Sequence, residues 1–280
     1  MPRPMNWPNG AQCALMVTFD FDAETLWTSK DPANAERLAI LSFGTYGAKV
    51  GVPKILELLK EEDLPSTFFI PGWTAERHTA RVEEIAAAGC EIGAHGYLHR
   101  SAEVDDPDTV REEIERGLEA LDRTLGIRPA GHRAASGDIT AYMMELLTEH
   151  GLLYNSNFKD DFLPYRHRLA DGRPGVIELP ISPTLDDGNY GLSIIRQPRP
   201  LFPKEAVLSI WRNEFAETYR WGGLFILVLH PQITGRPLRL ATLREFIAYT
   251  RKFPNVWYAT GTQVARAWQA QHEPGAAGGD

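Results

Sequence analysis

The chain has 280 residues, 43% of them hydrophobic and 24% charged, which suffices for a full core in one large domain or two small ones. With a formal net charge of −8 and no Lys/Arg cluster, nucleic acid and anionic membrane are not expected as partners. The longest apolar run, Leu224 to Leu229, is too short to span a bilayer, and the N-terminus lacks the apolar core of a secretion signal, so the expected location is cytoplasmic.

In chain order, Ala14 to Phe21 reads as a buried strand, Val52 to Glu62 has helical periodicity, and Ser66 to Ile70 is again a strand. Ala75 to Ala88 is predicted helical, ending at Gly89, and Glu91 to Ala94 is the third strand. Pro107 to Leu125 is a long helix with Asp105 or Asp106 as N-cap and Gly126 closing it. Gly131 to Arg133, Leu153 to Ser156 and Val176 to Ile181 read as short strands, with a helix over Thr140 to His150. The segment Ser156 to Val176, carrying Asp160, Asp161, Tyr165, Arg166 and His167, is expected to be an extended loop over a barrel mouth. Helices over Pro203 to Arg220, Leu238 to Lys252 and Gly261 to Ala270 alternate with strands Leu224 to His230 and Val256 to Ala259. The domain is set at residues 1–272, and the Gly/Ala-rich residues 273–280 read as a disordered tail.

Strand–helix alternation repeated about seven times indicates a parallel sheet. Polar residues fall at the C-terminal ends of several strands, where barrel enzymes build their sites. The expected fold is therefore α/β, an irregular (β/α)7-type barrel in a single domain. An open doubly wound sheet is the alternative, but no Gly-x-Gly-x-x-Gly follows the first strand. Cys13 and Cys90 each begin a predicted strand, away from the polar ends, and read as buried reduced thiols.

Two pairs of residues carry metal-ligand chemistry. Asp20 and Asp22 close the first strand, where i and i+2 share a face. Two carboxylates side by side repel, so a bound cation or an arginine must compensate; a turn role is the plainer reading of either acid. His95 and His99 follow the third strand with i, i+4 spacing, which faces both rings the same way on a helix or tight turn; one core and one surface histidine is the plainer reading. Together the pairs offer imidazole and carboxylate, the ligands of a hydrolytic divalent cation.

Other strand ends supply partners. His230 closes Leu-Phe-Ile-Leu-Val-Leu-His-Pro and is either a capped core residue or a general acid for a leaving amine. Arg133 is placed to hold one of the two carboxylates, a surface salt bridge being the alternative. Either Asp186 or Asp187 orients His230, or both serve a turn. Tyr97, Trp73 and Asp187 are the candidate substrate contacts. His132 turns away from Arg133 by alternation, and His78, His150 and His272 are read as structural or solvent-facing.

Thr18-Phe-Asp-Phe-Asp-Ala-Glu, His95-Gly-Tyr-Leu-His99, Arg133 and Leu229-His230-Pro resemble, in order and spacing, the successive motifs of the polysaccharide deacetylase (NodB-homology) superfamily, over roughly residues 14 to 262. Val50-Gly-Val-Pro-Lys-Ile-Leu-Glu-Leu-Leu and Ser66-Thr-Phe-Phe-Ile-Pro-Gly-Trp resemble its signal-less branch of peptidoglycan-deacetylase-like proteins and cyclic-imide hydrolases, with allantoinases as metal-free relatives. The resemblance implies that Asp22, His95 and His99 bind a divalent metal: Zn2+ first, with Co2+, Ni2+, Fe2+ or Mn2+ also accommodated. It further implies Asp20 as general base, Arg133 as its orienting partner, His230 as general acid, a backbone N–H near the histidine turn at the oxyanion, and a homo-oligomer, dimer or tetramer. Two departures stand out. Ala-Ala-Ser-Gly (134–137) follows Arg133 where the family has a proline and an aromatic, and Phe21 separates the acids with Ala23-Glu24 after them. Both turn the expectation from a polymeric glycan toward a small-molecule or oligosaccharide amide.

The expected function is thus metal-dependent hydrolysis of a non-peptide C–N bond, either an N-acetyl group on an amino sugar or a related small amide. A cyclic imide or ureide hydrolase is the same-class alternative. A non-catalytic carbohydrate-binding barrel is the alternative from a different class.

Overall fold

The computed structural model describes residues 5–101, 106–192 and 200–273. Among the described residues there are nine strands: β1 Cys13–Asp20, β2 Ser66–Ile70, β3 Glu91–Ala94, β4 Gly131–His132, β5 Tyr154–Asn155, β6 Tyr165–Arg168, β7 Pro174–Glu178, β8 Leu224–Leu229 and β9 Val256–Tyr258. Among the helices, α1 Thr25–Thr28, α2 Leu38–Tyr46 and α3 Val52–Glu61 precede β2. Helices α4 Gly72–Arg77 and α5 Thr79–Ala87 precede β3, α6 Pro107–Leu125 precedes β4, and α7 Ala141–Glu149 precedes β5. The remainder are α8 Gly188–Gly191, α9 Lys204–Trp221, α10 Pro231–Thr234, α11 Pro237–Thr250 and α12 Gly261–His272.

The sheet runs β6-β7-β5-β4-β3-β2-β1-β8, with β9 beside the start of β1. Every pairing is parallel except β6 with β7. The sheet curls on itself. Beyond β7, Leu179 donates to the Asn155 carbonyl while Asp186 bridges to Val228 of β8, so the segment after β7 spans the gap between the two ends of the wall. The result is the irregular, nearly closed β/α barrel expected from the alternation.

Strand parity decides what faces the barrel. In β1, Leu15, Val17 and Phe19 pack outward with Val52, Ile55, Phe225 and Leu227 in the layer between sheet and helices. Ala14 and Met16 point inward with Phe69, Tyr154, Ile226 and Val228. Both faces are apolar, so the strand reads as one continuous run. Thr18 and Asp20 share the inward parity and reach the top of the barrel. The opposite end is closed by Tyr154, whose hydroxyl donates to Glu91 at 3.0 Å. Glu91 in turn accepts the Thr262 N–H at the start of α12. Gly131 must be glycine here, since a Cβ would lie 1.9 Å from the Tyr154 ring.

Three expectations change. The helix predicted over 75–88 is two, α4 and α5, separated at His78 (φ −120°, ψ 38°), whose ring reaches back to Glu24 at 2.8 Å. The unassigned stretch 25–51 holds α1, α2 and a π-helical turn over Gly47–Gly51 that runs into α3. The segment 156–176 does not cover the mouth. Asp160 accepts the Tyr165 hydroxyl and Asp161 caps the N–H groups of Phe162 and Leu163, which turns the chain down into β6 alongside β7. Cys13 is buried and Cys90 half-buried, both as free thiols. Of the two candidate N-caps of α6, Asp106 accepts the Asp108 N–H; Asp105 and most of the predicted tail (274–280) lie outside the described residues.

Candidate metal and catalytic centre

Asp22 sits just past β1, fully buried, where the chain turns through Ala23 in the left-handed region (φ 49°). Its carbonyl is held by the hydroxyls of Thr25 (2.6 Å) and Thr74 (2.9 Å). His95 follows β3, and the chain returns to His99 through a non-helical turn in which Gly96 (φ 72°) and His99 (φ 60°) are both left-handed. A histidine in that region is strained and needs outside support. Glu113 of α6 supplies it: one carboxylate oxygen accepts the N–H groups of Tyr97 (3.1 Å), Leu98 (2.9 Å) and Arg100 (3.3 Å).

The turn brings His95 Nε2 to 3.4 Å and His99 Nε2 to 3.6 Å from Asp22 Oδ1. Two ligand atoms about 2.1 Å from one ion at a tetrahedral angle lie about 3.4 Å apart, so this spacing fits a shared cation. Asp22 Oδ1 accepts no hydrogen bond although it is buried, a costly state that a cation relieves. His95 Nδ1 lies 2.6 Å from the Arg133 carbonyl, which can only accept, so the ring is protonated there and turns the Nε2 lone pair toward Asp22. Burial pushes His99 down to about 4, with His95 and His230 adding to it, so it is neutral near pH 7 as a ligand must be. Burial alone would raise Asp22, but His99, His95 and His230 outweigh it and hold the carboxyl well below the usual range. Among the described residues, Asp22, His95 and His99 therefore form a donor set that fits a divalent metal.

Asp20 faces the same cavity. Its Oδ1 receives Arg133 Nη1 at 2.7 Å, and the same nitrogen donates to Thr18 Oγ1 at 2.8 Å. Arg133 is buried, lies over the Phe69 ring at 4.2 Å, and donates from Nε and Nη2 to the carbonyl and hydroxyl of Ser156. All of these partners fix the guanidinium, so Asp20 is held in one orientation.

On the other side, His230 Nε2 lies 3.8 Å from Asp22 Oδ2. Its Nδ1 donates to Asp187 Oδ1 at 2.6 Å, and Asp187 Oδ2 accepts the His230 N–H (3.1 Å) and the Thr234 hydroxyl (2.5 Å). Burial pushes His230 down, but Asp187, Asp22 and Asp186 outweigh it and raise the ring well above its ordinary value. Asp186, Asp187 and His230 are also close enough to suggest a second cation cluster. The 2.6 Å hydrogen bond gives the better reading: a carboxylate that orients a protonated imidazole.

The cavity above these groups has a volume of about 250 Å³. Leu26, Ile181, Leu192 and Ile233 wall it, with Lys30, Asp186 and Asn189 as polar rim. Ala134 and Gly137, from the stretch where bulk is missing after Arg133, also line it. Asp20, Asp22, His95, His99, Arg133 and His230 thus converge. Three other candidates do not sit where a substrate contact was expected. Asp187 lies beneath His230, 1% exposed. Tyr97 points outward, its hydroxyl on Glu76 (2.9 Å) and its ring under Arg116 (3.9 Å). Trp73 lines a separate groove with Tyr46 and Leu38. Two supporting residues escaped the sequence reading. Glu113 carries no local signal beyond its place four residues before Gly117. Gln232, two residues after His230, donates to Asp22 Oδ2 at 3.4 Å.

A family model described as polysaccharide deacetylase matches residues 32–154. A crystal structure from Mycobacterium smegmatis assigned to the polysaccharide deacetylases superposes with a TM-score of 0.92 and 40% identity, covering 97% of this chain and 95% of that one. The crystal structure of Puue allantoinase superposes with a TM-score of 0.85 and 26% identity, at the same coverages of 97% and 95%. The peptidoglycan deacetylase of Helicobacter pylori is 26% identical over 251 residues, 80% of this chain and 86% of that protein.

Proposed function

Since the chain belongs to the polysaccharide deacetylase family of hydrolases, we propose that it is a divalent-metal-dependent hydrolase of non-peptide C–N bonds, acting on an N-acetylated amino sugar or a related small amide. One observation carries the metal: a buried Asp22 oxygen without a hydrogen bond, 3.4 and 3.6 Å from two imidazole nitrogens. When bound, a cation such as Zn2+, Co2+, Ni2+, Fe2+ or Mn2+ supplies Lewis acidity for the substrate carbonyl and for ionising water.

In this reading the protein's own groups divide the proton transfers. Asp20, held by Arg133, accepts the proton of the attacking water. His230, held protonated by Asp187, donates from Nε2 to the leaving nitrogen. Arg133 keeps Asp20, and Asp187 keeps His230, in the correct orientation. The presence of acid, base and ligand set together speaks against a barrel that only binds carbohydrate.

A second reading, hydrolysis of a cyclic imide or ureide, is supported by the full-length likeness to Puue allantoinase. Ring opening uses the same attack, with the leaving nitrogen still tethered. The test strips the protein with a chelator and reloads it with each of the five metals. Acetate release from N-acetylglucosamine and its oligomers, and ring opening of succinimide and allantoin, are then followed. Metal-restored turnover supports the proposal; full turnover by the stripped protein would sink it.

A further inference from the structure

Asp186 and Asp187 are adjacent in sequence but serve opposite sides. Asp187 is buried under His230, as described above. The Asp186 side chain is 30% exposed and lines the cavity. Its backbone is pinned by the bridge to Val228. Oδ1 accepts the Gly188 N–H at 2.8 Å and lies 3.9 Å from His230 Nδ1. Oδ2 takes no hydrogen bond from any described residue. The carboxylate therefore stands on the His230 side of the cavity, where the leaving nitrogen must lie, beside the apolar surfaces of Leu192 and Ile233.

A carboxylate oxygen in a partly desolvated pocket is costly unless it accepts a hydrogen bond, and a molecule that brings only carbonyl acceptors to that side is repelled. We propose that Asp186 is a specificity-determining residue that accepts a hydrogen bond from a hydroxyl or N–H on the leaving half of the substrate. The substrates are then amides whose leaving nitrogen neighbours such a donor, as in an N-acetylated amino sugar or a ureide, and simple imides are excluded. This rests on the metal-hydrolase reading above. At about 250 Å³ the cavity admits one ring of such a molecule.

The experiment uses two pairs matched in ring size with metal-loaded protein: N-acetylglucosamine against N-cyclohexylacetamide, and hydantoin against succinimide. The donor-bearing member of the hydrolysed pair is expected to have a kcat/KM at least about 10-fold higher. Asp186→Ala should lower kcat/KM for that member about 10- to 100-fold and for its donor-free partner by at least about 5-fold less, the loss common to both reporting the effect of Asp186 on His230. Asp186→Asn, which retains the shape and the Gly188 contact, should fall in between. An equal fall for both members would overturn the assignment, because Asp186 would then act only through His230, and so would a preference unchanged in the variants. Calorimetry with glucosamine and cyclohexylamine reads the same preference without turnover. If wild type hydrolyses none of the four compounds yet binds glucosamine better in an Asp186-dependent way, the hydrolase reading fails and the recognition survives. If neither turnover nor binding discriminates, the recognition fails.

Discussion

Glu113 Oε2 accepts the Leu98 N–H at 2.9 Å from a helix that contributes no ligand to the centre. The same oxygen holds Tyr97 and Arg100, so one buried carboxylate organises the turn between the two histidines. Groups behind metal ligands set ligand orientation, and their loss weakens metal binding. Glu113→Gln is expected to lower metal affinity about 10- to 100-fold, with most activity returning at saturating metal. Competition with a chelating indicator measures this. An unchanged affinity would show that the turn holds its shape unaided.

Helix α6 approaches that turn without side chains in the way. A Cβ on Gly117 would lie 2.5 Å from the Gly96 carbonyl oxygen, which is backbone and must shift. Gly117→Ala is therefore expected to destabilise the fold by about 1–3 kcal/mol and to weaken metal binding together with it. Urea unfolding of the metal-free protein and a metal titration report the two effects separately. Wild-type values in both would contradict the close approach.

Ligands and base separate by mutation. Asp22→Ala or His99→Ala should lose bound metal and activity together. Asp20→Asn should retain metal and lower kcat about 10²- to 10⁴-fold. Elemental analysis beside steady-state kinetics distinguishes them; a metal-free Asp20→Asn protein would move Asp20 into the ligand set.

The residues of the centre were readable where the barrel imposes convergence. A strand buried on both faces is a continuous apolar run, and its polar terminus has nowhere to go but the barrel mouth, which is why Asp20, Asp22, His95, Arg133 and His230 could be picked out together. Proximity in sequence misled where the chain turns. Tyr97 lies between His95 and His99, yet Gly96 reverses the backbone and sends the ring to Glu76 and Arg116. Ser156 to Val176, with its several polar residues, reads as an extended loop over the mouth; those residues instead cap its own turns and pair β6 with β7. Glu113 and Gln232 act only through contacts across the fold, which no local pattern announces.

Asp187 raises His230 and orients it through Nδ1. Asp187→Asn removes the charge, so His230 gives up its proton at lower pH and the acid form is lost earlier. The basic limb of kcat/KM should move to lower pH, and kcat should fall about 10²-fold or more with little change in KM. A variant with an unshifted basic limb would mean that a group other than His230 donates to the leaving nitrogen.

His132 tests the barrel interior independently of the chemistry. It is buried, and its Nδ1 donates to Asn155 Oδ1 at 3.1 Å, while Asn155 donates to Glu178 at 2.8 Å. Burial pushes its pKa down to about 4, with His95 and Arg133 adding to it. The unfolded chain takes up this proton near pH 6.5, so below that pH protons favour unfolding. The histidine therefore carries no penalty above pH 6.5, loses stability progressively as pH falls toward 4, and adds no further loss below. His132→Asn retains a donor for Asn155 and cannot titrate. Between pH 7.5 and 4.5, metal-free wild type should lose about 2–3 kcal/mol more than this variant in urea unfolding. Parallel stability curves for the two proteins would show that His132 is already protonated, or solvated, in the folded barrel.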